Sequence, residues 1–166
     1  MKTSPRRRAR ELALQGLYQW QVAGGTAEQV LLDLGEMEDY AEADARFLRK
    51  MVSETIAAAN ESRVQLEPLV DRKWHEVSPV ERAILLIGAW ELMHCPQTPY
   101  RVVINEAIEL GKIFGGTDGH KYGNGILDRL AASLRPSDTA SHKGETKRRD
   151  DASRKATRIT LKKTPA

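Results

Sequence analysis

Apolar residues recur every three or four positions along most of the first 135 residues, and the rhythm breaks where caps, glycines and prolines would end a helix. Ser4 and Pro5 open the first pattern, serine as N-cap and proline at the first helical position. Ala9, Ala13, Gly16, Leu17 and Trp20 form its inward stripe as far as Gly24-Gly25. Thr26 and Gln29 have capping-box spacing and start a short helix through Val30, Leu31 and Leu34 to Gly35. Asp44 caps the next, with Ala45, Leu48, Val52, Thr55, Ile56 and Ala59 in helical period; Asn60 to Ser62 loosens it, and a short segment through Val64 and Leu66 reaches a bend at Pro68.

Ser78, Pro79 and Glu81 give the strongest start signal: cap, proline at the first position and acid at the third. The helix behind them is apolar almost all round from Ala83 to Trp90, as the most buried element of a helical domain would be. After Cys95-Pro96 and Pro99, one helix carries Ile104, Ala107, Ile108, Gly111 and Phe114 inward and stops at Gly115-Gly116. Another starts near His120 with Tyr122, Ile126, Leu127, Leu130 and Leu134 inward. Gly123 and Gly125 fall inside it, where each costs roughly 1 kcal/mol against alanine. Close packing on a neighbouring helix would offset that cost, as would a flat surface beside Lys121, Tyr122 and Asn124 on which another molecule lies. No stretch alternates as a strand does, so the expected fold is an all-α, compact helical domain.

Charge changes this picture more than composition does. The net charge is +3, but residues 1–10 hold five basic and no acidic side chains, residues 11–135 hold 12 basic and 19 acidic, and residues 136–166 hold nine basic and four acidic. A mildly acidic core with basic ends points to a polyanion partner. Arg6, Arg7, Arg8 and Arg10 crowd the first turns of the first helix, where the positive end of the macrodipole disfavours cations. Fold stability does not account for them at this level, whereas a phosphate backbone met by guanidinium forks does. From Pro136 on, large apolar residues are nearly absent, and 136–166 reads as a disordered basic tail behind a folded domain of residues 1–135.

Catalytic chemistry finds no support. The glycine-rich elbow lacks a phosphate-binding GxxxxGK[ST] pattern and follows no strand. His75, His94, His120, His142 and Cys95 have no spacing that builds a metal site, and adjacent His94 and Cys95 point to different sides of a helix. Glu106, Glu109 and Asp118 are expected to be solvated or structural. The expectation is therefore no enzyme, no cofactor and no metal. A single cysteine, no run of membrane-spanning length and no signal region fit a protein of the reducing cytoplasm, with no membrane partner.

Three stretches, RRRARELALQGLYQW, SPVERAILLIGAWEL and PYRVVINEAIELGKIFG followed by HKYGNGILD, resemble in that order the NusB family of bacterial transcription antitermination factors, over residues 1–135. The resemblance implies about seven helices in two subdomains and no catalysis. It also implies binding of the single-stranded boxA element of ribosomal and phage leader RNA, together with the small-subunit ribosomal protein that acts as NusE. The pair would work within an RNA polymerase antitermination complex with other Nus factors. By position, Arg6, Arg7, Arg8 and Arg10 match the family's arginine-rich RNA segment, and Asp118, Lys121 and Tyr122 match its RNA-proximal motif, Tyr122 at a position where a base would stack. Glu81, with Arg72 a weaker candidate, matches the side that meets the ribosomal partner, although capping alone explains Glu81. Gly123 departs from a larger apolar residue there, and the tail is longer than usual. A homodimer burying the arginine surface would compete with RNA. Two rivals are an RNA methyltransferase with a similar N-terminal helical domain, for which this chain leaves no room, and a helix-turn-helix binder of duplex DNA.

Overall fold

The computed structural model describes residues 2–114 and 119–140, and of residues 119–122 the backbone only. Seven α-helices carry these residues: α1 (Pro5–Ala23), α2 (Ala27–Gly35), α3 (Ala45–Ala57), α4 (Ala59–Leu66), α5 (Pro79–His94), α6 (Tyr100–Phe114) and α7 (Gly119–Leu134). Short 3-10 turns at Glu38–Glu42, Glu67–Leu69 and Trp74–Glu76 join them, and there is no strand among the described residues.

The starts are made by side chains, as the sequence indicates. Ser4 accepts from the Arg7 amide at 3.2 Å, Asp44 from the Phe47 amide at 3.0 Å and Ser78 from the Glu81 amide at 3.2 Å. Thr26 and Gln29 close a reciprocal capping box. Each bond satisfies a first-turn N–H that has no partner inside the helix. Gly24 and Gly25, at φ 75° and 101°, make the turn out of α1 in a conformation that L side chains avoid.

One boundary differs from the sequence reading. The break after α3 falls at Ala58, and Asn60 to Ser62 lie inside α4, where the Ser62 amide bonds the Ala58 carbonyl at 2.9 Å and the side chain is fully buried. Leu66 of that helix is buried as well, while Val64 faces solvent.

α5 is the centre. It is buried without interruption from Ala83 to Leu92, and α1, α3, α4, α6 and α7 all pack on it. α1, α2 and α3 also pack on one another, and α6 and α7 pair closely, which gives the two expected subdomains sharing α5. Gly16 and Gly88 sit at close helix approaches. A Cβ on Gly16 would lie 2.7 Å from Val30 Cγ1, and one on Gly88 would lie 2.6 Å from Leu127 Cδ1. Close packing is not what offsets the two glycines of α7: a Cβ on Gly123 would meet Ile84 at an ordinary 3.9 Å, and one on Gly125 would meet no described atom within 4 Å.

Pairings between helices fix the two ends of the bundle. Arg10 meets Glu91 and Gln21 meets the Pro79 carbonyl, so α1 and α5 are antiparallel. Gly123 lies opposite Ile84 and Arg135 opposite Leu92, so α7 runs with α5. One end therefore gathers the starts of α1 and α3, the loop after α5 and the end of α7. The other gathers the end of α1 and the starts of α5 and α7. At the first end Arg135 donates to the carbonyls of Glu91, Leu92, Cys95 and Thr98, a cation on the free carbonyls of a helix C-terminus. Order consequently runs past the boundary at 135 that composition sets: residues 136–140 form a further helical turn in which buried Thr139 donates to the Arg135 carbonyl at 3.2 Å. The tail from 141 lies outside the described residues.

Candidate nucleic-acid and partner surface

The four arginines of α1 do not form one equivalent surface. Arg10 is a core residue: its side chain is 5% exposed and makes a two-point bond to Glu91 of α5, at 2.7 and 3.2 Å, with Glu91 2% exposed. Glu106 lies a further 3.9 Å away and the Phe47 ring 5.1 Å. A guanidinium held in that way is committed to a buried structural pair and would reach RNA only by opening the core.

Arg8 is 24% exposed and faces three carboxylates, Glu11 at 2.7 Å and Asp39 and Glu42 at 3.5 Å. Arg7 is 42% exposed and bonds Glu106 of α6 with Nε and Nη2, at 3.3 and 3.1 Å. That hydrogen bond and the Glu106 charge raise the Arg7 guanidinium above its ordinary value. Two of its five N–H donors are used, which leaves the others for an anion. Arg6 is the most open, 59% exposed, lying over the Phe47 ring at 4.6 Å and 3.9 Å from Asp44.

The electrostatic puzzle of cations at a helix N-terminus is thus resolved differently for each. Carboxylates from α5, α6 and the Glu38–Glu42 turn offset the unfavourable dipole for Arg10, Arg7 and Arg8. Fold stability does explain part of the cluster, because those carboxylates come from residues remote in sequence. What remains outward is an edge formed by Arg6 and Arg7.

Asp118 lies outside the described residues, as do the side chains of Lys121 and Tyr122. Their backbone stands in the first turn of α7. That turn is level with Ile84 of α5, whereas the arginine end is level with Glu91, about 10 Å further along the helix. The two halves of the expected RNA surface are therefore at different levels of the bundle.

Glu81 belongs to the α7-start end. Its backbone N–H is capped by Ser78, and the residue is half-buried, with no ion pair among the described residues. The residue before it, Val80, lines a groove of about 480 Å³ with Leu14, Tyr18, Met37 and Phe114. Tyr18 and Met37 are exposed there. Tyr18 and Met37 carry no helical signal that marks a groove, and Phe114 reads in sequence only as part of an inward stripe. An aromatic on the polar side of α1 is the one hint the sequence holds. Arg72 is exposed in the irregular segment leading into α5 and donates to Asp71 at 3.0 Å; it does not line the groove.

The Cys95 thiol is pushed up, first by burial and then by the Glu91 carboxylate, and His94 turns instead toward Glu61 at 3.5 Å. Among the described residues no three His, Cys, Asp or Glu side chains converge as metal ligands, and no helix is long and apolar enough to cross a membrane.

The NusB family profile matches residues 7–132. The transcription antitermination protein NusB of Nitrosomonas eutropha is 49% identical over 130 residues, 78% of each chain. That of Bordetella pertussis is 50% identical over 139 residues, 80% of this chain and 88% of its own. Among solved structures, T. maritima NusB superposes with a TM-score of 0.70 at 29% identity, covering 79% of this chain and 92% of that one. A complex of the antitermination factors NusB and NusE with dsRNA contains a chain of the same fold, with a TM-score of 0.67 at 20% identity and coverage of 76% and 96%.

Proposed function

The chain belongs to the NusB family of transcription antitermination proteins, a non-catalytic family, and from that premise we propose that it binds single-stranded boxA RNA of ribosomal RNA leaders jointly with a NusE-type ribosomal protein. In the cytoplasm, this pair joins RNA polymerase and other Nus factors and helps the enzyme resist termination. The observation that carries the reading is the pairing of two unlike surfaces on one bundle: a guanidinium edge at the start of α1 and an apolar groove beside Glu81 at the other end.

Arg6 and Arg7, with Arg8 at their margin, hold phosphates, while Lys121, Tyr122 and Asp118 meet the strand near the start of α7. Phosphates alone carry no sequence information, so base contacts near Tyr122 and on the partner set the choice of boxA. Arg10 acts indirectly by fixing α1 on α5. The ribosomal partner covers Tyr18, Met37, Val80 and Phe114, with Glu81 and Arg72 at its rim. An apolar centre with a charged rim is the anatomy of a specific protein interface. A second copy of this chain on the arginine edge would exclude RNA. The solved complex of NusB, NusE and dsRNA supports the choice of partners.

The test is fluorescence anisotropy of labelled boxA RNA and a scrambled RNA, each with the protein alone and with its cognate ribosomal partner. The expected result is a partner-dependent tightening for boxA well beyond the scrambled strand, lost in Tyr18→Asp. Equal binding of both RNAs, unmoved by the partner, overturns the reading.

A further inference from the structure

The starts of α1 and α3 touch: the Asp44 amide donates to the Pro5 carbonyl at 3.0 Å. Between them and the loop after α5 lies a cleft of about 300 Å³ lined by Arg6, Arg46, Lys50, Gln97 and Thr98, with Asp44 its one carboxylate. Arg46 and Lys50 are one turn apart on the same exposed face of α3. Neither takes a carboxylate partner among the described residues, in contrast to Arg7, Arg8 and Arg10. Their arrangement disfavours the isolated fold: like charges at this spacing repel, and Arg46 sits in the first turn of a helix that has no acidic residue there.

We propose that this cleft holds backbone phosphates of the bound RNA, so that the strand continues from Arg6 onto α3 instead of leaving the protein at the end of α1. The proposal rests on the RNA-binding reading above and adds where the strand goes. Three cations against one carboxylate give the cleft the sign a polyanion requires. Arg6 lies over the Phe47 ring, with Cζ 4.6 Å from its centroid, a contact that limits the freedom it has to lose on binding. Gln97 and Thr98 add neutral donors and acceptors suited to a ribose hydroxyl. The loop that carries them is fixed by Arg135 on the Cys95 and Thr98 carbonyls, so the cleft is built before RNA arrives. An acidic protein segment would satisfy the charge but leaves unexplained the continuity with the Arg6 edge.

The experiment compares wild type with R46A/K50A on two RNAs, boxA alone and boxA extended on both flanks, across a salt series with the ribosomal partner present. For the extended RNA the variant is expected to lose about 1.4 from the slope of log affinity against log salt, two phosphate contacts at about 0.7 each, and on the order of tenfold in affinity at 0.1 M salt. Thermal unfolding of the variant should match wild type or rise slightly, since both side chains are exposed and their mutual repulsion is removed. Unchanged affinity and slope on both RNAs, with the wild-type boxA preference intact, overturns the α3 path and leaves the RNA reading standing. Loss of partner binding with RNA binding unchanged also overturns it and assigns the cleft to protein. Absence of any boxA preference in wild type overturns both together.

Discussion

α1 and α3 both carry arginine in their first turns, and those turns lie side by side, yet they differ in what surrounds the charge. On α1 every arginine but Arg6 is closely paired, with Glu106, Glu11 or Glu91, whereas Arg46 and Lys50 of α3 form no ion pair among the described residues, although Asp44 lines the same cleft. The dense run is the more neutral surface and the sparse pair the more cationic one. A count of basic residues along a chain therefore does not measure a polyanion site; the count of those left without a protein anion does.

The contrast is broken or sharpened by substitution, and the largest effect belongs to the buried pair. Arg10→Ala strands the Glu91 carboxylate in the core and is expected to destabilise the protein by about 3–5 kcal/mol in urea unfolding. Any loss of RNA binding in that variant should track the unfolded fraction. Wild-type stability with weakened RNA binding would put Arg10 back on the surface. Glu106→Gln is expected to cost about 1 kcal/mol or less, because Arg7 is nearly half exposed, and to strengthen RNA binding several-fold by freeing that guanidinium. Weaker binding there would mean that Glu106 holds Arg7 in the bound geometry. R46A/K50A should leave stability within about 0.5 kcal/mol of wild type.

A smaller effect reports on the loop after α5 that lines the cleft. With its pKa raised by burial, the Cys95 thiol of the folded protein keeps its proton at pH values where the unfolded chain releases it. Stability should therefore fall as pH rises through the ordinary thiol range, and Cys95→Ala should flatten that decline. Maleimide labelling at pH 8 is expected to be slow in the native state and fast in urea. Rapid native labelling would show that the Arg135-anchored loop opens.

Local features were legible in the chain because they are decided by neighbours. Ser4, Thr26, Asp44 and Ser78 cap the helices they precede, and the apolar run after Pro79 is the centre of the bundle. The pairs that decide the site are remote, Arg7 with Glu106 and Arg10 with Glu91, and no periodicity connects such residues. Glu91 did leave a trace, the one charged residue in the otherwise apolar run from Ala83 to Leu92, which demands a buried cation. Gly88 left none: its role appears only once Leu127 is seen against it, while the more conspicuous Gly123 and Gly125 make no close approach. The groove at Tyr18 needs α1, α2, α5 and α6 together, and its one trace in the sequence is that aromatic on the polar side of α1.

The most direct test of the division between paired and open cations is the salt dependence of boxA binding, with the ribosomal partner, for wild type and for R6A/R7A. The outward edge predicts a folded variant whose slope falls by about 1.4, with weaker affinity that converges on wild type as salt rises. An unchanged slope in that folded variant would contradict the account, because the RNA would then be held by cations other than the two that α1 leaves in reach of solvent.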